Sequence, residues 1–321
     1  MSVVLVTGAS GFVGQRVVLR LLAAGHTVRA AVRTPLTPAR AAALGWSGAV
    51  EEVRCDLLDG EGLAAACAGV DAVIHLAADM SGPAERKIAT AVAGTRNLIA
   101  AISPGSTVQL VLASSFSVYD WERVGATLDE DAPLLDAAAA ARQDAYARAK
   151  LQQERAARAD CAARALPLVV LRPAAIWSAS RRNLDGVGVG AGGAAIVIGP
   201  RRLLRLTHVD NCADAFVAAL DPRAAGHTFN VDDGYALSAW DYAGQQGALP
   251  RLPLPYGAAR CGAVVGGALF RTLRRGRELP GLLVPARLCA RFHGARAGHA
   301  ALARVLGWQP PLSLEACLRA G

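Results

Sequence analysis

Tyr146 and Lys150 are the residues whose types and spacing most directly suggest chemistry. They stand four apart in Tyr146-Ala147-Arg148-Ala149-Lys150, so a helix places both on one face. A phenol ionises at about 10 and is a poor base at neutral pH. A nearby ammonium favours the phenolate, and a shift of about three units represents roughly 4 kcal/mol. Composition does not account for this lysine: it is one of two, with Lys87, in a chain of 32 arginines. A second constellation, Gly8-Ala9-Ser10-Gly11-Phe12-Val13-Gly14, suits a phosphate. Its GxxGxxG spacing lets the backbone turn sharply and lets a pyrophosphate approach the main chain. The anion then sits at a helix N-terminus, where N–H groups and the macrodipole favour negative charge. Three glycines alone specify little; their strength comes from lying between a first strand and a first helix.

The elements that must position these residues follow from hydrophobic periodicity. Val3–Val6 is a β-branched run of the kind found in buried parallel strands. Phe12 to Ala24 carries Val13, Val17 and Leu21 at helical spacing and stops at Gly25. Strands are expected at Thr27–Val32, Val50–Cys55, Ala72–Leu76, Gln109–Ala113 and Leu168–Leu171, the last ended by Pro173. Helices are expected at Gly60–Ala68, Ile88–Ile102 and Tyr146–Ala165. Such alternation requires crossovers, hence a parallel sheet with helices on both faces, a doubly wound α/β fold. After Pro173 the pattern loosens. Gly186–Gly193 reads as a flexible loop, Ala194–Ile198 and Phe229–Val231 as strands, and His208–Leu220 as a helix entered through Asp210. Prolines from Pro250 onward suggest short helices. Residues 1–172 are thus expected to form the dinucleotide-binding core. Residues 173–321 are a smaller C-terminal, substrate-binding region that completes the sheet and supplies a lid.

Composition excludes several classes. With 53% hydrophobic residues the chain is not disordered. The longest uncharged apolar run, Cys261 to Phe270, has ten residues between Arg260 and Arg271, too few to span a bilayer. Met1 to Thr7 lacks a basic lead, so a cytoplasmic protein is expected. Seven cysteines form no CxxC pair, and small buried thiols are expected rather than disulfides or a metal site. The net charge of +8 comes without the clustered basic and aromatic residues of a nucleic-acid surface; small anionic ligands suit it better. Arg271, Arg274, Arg275 and Arg277 read as a solvated helix face, with an anionic partner as the alternative.

In motif order the chain resembles the extended short-chain dehydrogenase/reductase family of the NAD-dependent epimerase/dehydratase type. The resemblance runs through TGASGFVG (Thr7–Gly14), CDL (Cys55–Leu57), HLAA (His75–Ala78), GTRNL (Gly94–Leu98), ASSFSVY (Ala113–Tyr119), YARAK (Tyr146–Lys150), LRPAAIW (Leu171–Trp177), HVDN (His208–Asn211) and LGWQPPLSLEACL (Leu306–Leu318). It implies a Rossmann-like fold and a nicotinamide dinucleotide held by Gly8, Ser10, Gly11, Phe12, Val13 and Gly14. Asp56 and Leu57 would lie beside the adenine, and Leu76, Ala77 and Ala78 along the pyrophosphate and ribose. Ala113, Ser114, Pro173, Ala174, Ala175 and Ile176 complete the implied cofactor contacts. Tyr146 would move the proton, and Lys150 would lower the phenol pKa and hold the nicotinamide ribose. Ser115 would hydrogen-bond the reacting oxygen, with Ser114 as runner-up. An acid at the end of the second strand would bind a ribose 2′-OH and repel a 2′-phosphate. Here that strand ends in Arg33, with Arg29 and Arg40 close in sequence, which favours NADP(H) over NAD(H).

Some positions depart from the family pattern. Ala91 stands where many relatives carry Asn, and Phe116-Ser117 replace the Asp-Glu of sugar-nucleotide dehydratases. Leu204 occupies the epimerases' pyrophosphate-binding Arg position, between Arg202 and Arg205. The tail from Pro253 resembles the hydroxysteroid-dehydrogenase-like and flavonoid-reductase-like branches. Trp121 and Trp177 are read equally as substrate borders and as packing residues. The expected function is an oxidoreductase moving hydride between nicotinamide and a ketone or secondary alcohol. A nucleotide-sugar epimerase and a non-catalytic NADP-binding protein are the alternatives. The expected partner is a small-molecule substrate, with no nucleic acid and no membrane span, and a homodimer stays open.

Overall fold

Seven parallel strands carry the chain's central crevice, and their side chains alternate between two apolar layers. The computed structural model describes residues 1–46, 48–78, 83–179, 186–191, 194–245, 250–274 and 277–319. Its strands are β1 (Val3–Thr7), β2 (Thr27–Val32), β3 (Val50–Arg54), β4 (Ala72–His75), β5 (Gln109–Ala113), β6 (Leu168–Pro173), β7 (Ala175–Trp177), β8 (Gly188–Ala191), β9 (Ala194–Ile198), β10 (Leu206–His208), β11 (Thr228–Val231) and β12 (Arg251–Leu254). The helices are α1 (Phe12–Ala23), α2 (Pro38–Ala43), α3 (Leu63–Cys67), α4 (Ala84–Ala101), α5 (Ala137–Ala141), α6 (Ala145–Ala163), α7 (Val209–Ala218), α8 (Ala239–Gln245), α9 (Tyr256–Leu273), α10 (Pro285–Phe292), α11 (Ala300–Leu306) and α12 (Leu314–Arg319).

The main sheet has the order β3-β2-β1-β4-β5-β6-β11, all pairs parallel, with Val6 in register with both Ala30 and Ile74. On one face Val4, Val6, Ile74, Val111 and Phe229 pack with Val17, Leu21, Phe216 and Leu302 of α1, α7 and α11. On the other, Leu5, Val73, Leu110 and Leu112 pack with Leu98, Ile99 and Cys161 of α4 and α6. Period-two alternation along buried strands produces these two layers, and each fully buried Leu, Ile or Phe contributes about 1.5–3 kcal/mol. The order reverses between β1 and β4, which opens a crevice at their carboxyl ends.

The later chain builds smaller pieces around that crevice: a parallel pair β10-β7 and a three-stranded sheet β12-β9-β8. Three expectations change here. Gly188–Ala191 is not loop but β8, paired antiparallel with β9; Gly188 faces the Ile196 carbonyl, where a Cβ would come to 2.1 Å. Residues 192–193 of that expected loop, and Arg275 of the arginine cluster, lie outside the described residues. The proline-rich tail holds one 18-residue helix, α9, because Pro255 and Pro280 fall outside it; Pro253 sits in the edge strand β12, where a missing N–H is tolerated. The cap of α7 is His208, whose side chain accepts from the Asp210 N–H, rather than Asp210. All seven thiols are free, and all but Cys261 are buried.

Candidate active site

At the carboxyl end of β1 the glycine turn is sterically required. Gly8 has φ +70°, and a Cβ there would stand 2.9 Å from the Ala77 nitrogen. At Gly14 it would stand 2.1 Å from the Gly8 carbonyl oxygen. The Gly11 N–H donates to that same oxygen at 2.9 Å. Gly11 then caps α1 without a side chain, and no acid stands in the first turn. A helix start of this kind suits a phosphate, so these residues fit the pyrophosphate of a dinucleotide.

The turn opens into a cavity of about 860 Å³ that also holds Ser115, Tyr146 and Lys150. Ser115 follows β5 and caps a short 3-10 turn, its hydroxyl accepting from the Ser117 N–H at 3.2 Å. Tyr146 lies in the first turn of α6, whose start is fixed by Asp144 accepting from the Ala147 N–H at 2.9 Å. The Ser115 side chain lies close enough to the Tyr146 phenol to favour its ionised form. Ser114 instead donates to Glu154 at 2.6 Å, and Glu154 is locked by Arg172 at 2.6 Å. That difference separates the two serines. One turn beyond Tyr146, the buried Lys150 ammonium donates to the Ala113 carbonyl at 2.8 Å and to Gln153 Oε1 at 3.0 Å.

Behind Lys150 runs a buried polar chain that sequence reasoning missed. Gln153 Nε2 donates to Thr95 Oγ1 at 3.0 Å and meets His75 Nε2 at 3.3 Å. His75 Nε2 is also 2.9 Å from Thr95 Oγ1, and its Nδ1 is 2.7 Å from Thr7 Oγ1. Thr7 accepts from the Ala77 N–H at 3.3 Å, which brings the chain back to the glycine turn. Thr95 closes it by donating to the carbonyl of Ala91 at 2.8 Å. The available signal was spacing: Gln153 follows Lys150 by three residues and shares its face.

Burial governs the charges here. It pushes the Lys150 ammonium down to about 8 and the His75 imidazole, which Lys150 also repels, down to about 3. It pushes the Tyr146 phenol up, against the opposing influence of the Ser115 side chain. Lys150 is not among the groups that shift the phenol, and its ammonium is directed at Ala113 and Gln153.

The far end of the cavity is lined by Trp121, Trp177, Leu204, Tyr242 and Leu282, with Arg202 and Arg205. Arg205 lies over the Trp121 ring at 4.0 Å and donates to the carbonyls of Ala290 and His293. Arg202 donates to the Gly186 carbonyl. Desolvation pushes Arg205 down to about 9 and Arg202 to about 10. Neither guanidinium has an ion pair among the described residues.

Most expected cofactor contacts line this cavity: Gly8, Gly11, Phe12, Val13, Gly14, Leu76, Ala78, Ala113, Ser114 and Pro173 to Ile176. Ser10, Arg33, Asp56, Leu57 and Ala77 are not among its lining residues. Leu57 is held against α4, where Asn97 donates to its carbonyl at 2.9 Å. Arg33 is exposed at the end of β2, and Arg54, in register with Val32, ends the neighbouring strand. Arg29 is committed elsewhere, to Glu51 at 2.9 Å and to carbonyls at the end of α3.

Comparison with known proteins agrees with this architecture. The profile of the NAD dependent epimerase/dehydratase family matches residues 4–232. A 3 beta-hydroxysteroid dehydrogenase/Delta 5→4-isomerase of Mycobacterium tuberculosis is 30% identical over 260 residues, 75% of this chain and 67% of the relative. A dihydroflavonol 4-reductase of Hordeum vulgare is 36% identical over 138 residues, 40% of this chain and 39% of the relative. The structure of a short-chain dehydrogenase/reductase superfamily protein from Agrobacterium tumefaciens, with bound NAD, has a TM-score of 0.70 at 23% identity and covers 99% of this chain and 95% of its own. With glycine turn, sheet order and family profile in agreement, this chain belongs to the NAD-dependent epimerase/dehydratase family.

Proposed function

We propose that the protein is an NADP(H)-preferring oxidoreductase acting on a ketone or secondary alcohol, with Ser115, Tyr146 and Lys150 as its catalytic residues. The observation that carries this reading is that Ser115, Tyr146 and Lys150, the last one turn beyond Tyr146 on α6, line the same cavity as the glycine turn. When bound, the nicotinamide supplies or accepts the hydride. Tyr146 gives its proton to the substrate oxygen in reduction and takes it back in oxidation. Ser115 donates to that oxygen as its charge develops. Lys150 keeps a positive charge beside the proton-transfer site, and the region after residue 172 closes over the substrate. The adenine side rests on Asp56 and Leu57. A cytoplasmic setting belongs to the same reading, since seven unpaired thiols persist under reducing conditions.

Cofactor preference rests on Arg33 and Arg54, two exposed guanidiniums at adjacent strand ends, and on the absence of an acid in the sequence from Ala30 to Arg40. One charge-assisted phosphate contact is worth about 1.5–3 kcal/mol, so NADPH should bind at least about tenfold more tightly than NADH. Titration of cofactor fluorescence tests this; equal affinities, or an unchanged preference in Arg33→Ala, refute it. A second reading, nucleotide-sugar epimerase, draws on Arg202 and Arg205, two desolvated guanidiniums facing the cavity. Net cofactor turnover separates the two, because an epimerase returns the hydride it takes.

A further inference from the structure

Helix α9 exposes a face that the active site does not explain. Its buried stripe is Ala259, Ala263 and Gly267, one residue per turn. Gly267 is pressed against the segment 280–283, where a Cβ would reach 2.8 Å from the Leu283 carbonyl oxygen. An ordinary surface helix is polar on its opposite side. Here Val264, Val265, Leu269 and Leu273 are 54%, 68%, 57% and 72% exposed, and no charge occurs from Cys261 to Phe270. Leu252 of β12 adds a further exposed apolar side chain. Among the described residues, the other exposed large hydrophobics are Met1 and Leu58, so the exposure is concentrated on this part of the fold.

Charge singles out the same segment. Residues 242–314 contain ten arginines and one acid, Glu278, a net +9, so the rest of the chain is close to neutral against the total of +8. Arg260 and Arg271 are eleven positions apart, about three helical turns, and so stand on one flank of the apolar face. Arg274 and Arg277 follow at its end, and all four are exposed. None has an ion pair among the described residues.

We infer that this face docks on an anionic lipid bilayer. Helix α9 lies in the headgroup plane, with Val264, Val265, Leu269 and Leu273 entering the acyl boundary. Arg260, Arg271, Arg274 and Arg277 meet lipid phosphates. An apolar helix face bordered by basic residues binds such surfaces through buried area and electrostatic attraction, and long arginine stems reach back to the phosphate level. The helix lies on the membrane rather than crossing it. No described helix is long and apolar enough to cross, and crossing takes about 20 apolar residues. A second copy fits this face less well. A two-fold contact sets each arginine row near its own counterpart, with Glu278 as the nearby acid. Leu282 packs with Ala259 and Ala263 and also lines the catalytic cavity, so the docked helix is one packing layer from the substrate.

The test is co-sedimentation of the full chain with vesicles of phosphatidylcholine alone and of phosphatidylcholine mixed with phosphatidylglycerol. Binding to the mixed vesicles, weakened by salt, is expected, with little binding to the neutral ones. The double variant Val265→Glu/Leu269→Glu should bind at least about tenfold more weakly. Arg260→Gln and Arg271→Gln should each cost about fivefold. None of these side chains lines the cavity, so cofactor affinity and Tm should stay at wild-type values. Failure of the wild type to sediment with the mixed vesicles overturns the proposal, as does undiminished sedimentation of the double variant. A dimer that Leu269→Glu dissociates, with no vesicle binding in either form, overturns it in favour of a second copy.

Discussion

Replacing Gln153 by methionine should make Lys150 release its proton more readily. Lys150 is buried, its ammonium donates to Ala113 and Gln153, and burial already holds it down to about 8. Methionine keeps the length of glutamine but offers only a weak acceptor. A hydrogen bond to a charged group is worth about 1.5–3 kcal/mol. At 1.36 kcal/mol per unit, the titration midpoint should fall by about one to two units. Selective ¹³Cε-lysine labelling reads this directly, because the chain has two lysines and Lys87→Arg leaves one resonance. The same shift fixes a stability window. Lys150 binds its proton less tightly in the folded chain than a free lysine does at about 10.4. The unfolded chain therefore holds the extra proton between about 8 and that value, and wild-type stability rises with pH across the interval. In Gln153→Met the window opens at a lower pH. An unchanged lysine midpoint would refute the claim that Gln153 holds the ammonium.

Two further outcomes follow from buried polar groups. His75 is held down to about 3 against about 6.5 when unfolded, so its stabilising contribution is present above that unfolded value. It is lost as pH falls toward 3, at about 1.4 kcal/mol per pH unit; urea unfolding of His75→Gln should show a correspondingly flatter acid limb, and an identical limb contradicts this. Glu154→Gln leaves the buried Arg172 guanidinium without its anion and should cost about 3–5 kcal/mol of stability, measured by denaturant midpoint; a loss within experimental error would show that the pair is dispensable.

Local pattern carried most of the core. The boundaries of β2, β5 and β9 coincide with expectation, because buried strands bounded by Gly, Pro or polar residues leave little freedom. The glycine turn was legible for the same reason: Gly8 and Gly14 answer to backbone contacts within a few residues, apart from Ala77. What escaped depends on side chains brought together from distant positions. His75, Thr95 and Gln153 meet only after β4, α4 and α6 pack, and nothing in their local spacing to one another announces it. β8 escaped because glycine carries no strand preference, and only pairing with β9 makes Gly188–Ala191 extended. Desolvation of Tyr146 escaped as well, since an i,i+4 lysine says nothing about where its protons are directed.

The central claim is that Tyr146 exchanges the proton with the substrate oxygen, and single-turnover hydride transfer in wild type and Tyr146→Phe tests it most directly. A screen of ketones and secondary alcohols supplies a turnover substrate, and separate titrations measure cofactor affinity. Phenylalanine keeps the ring packing and removes the hydroxyl that shares the cavity with Ser115. The account predicts transfer slower by about a hundredfold or more, the range for a positioned acid or base, with cofactor affinity within a few-fold of wild type. Hydride transfer by Tyr146→Phe at the wild-type rate would contradict it and leave Tyr146 a packing residue.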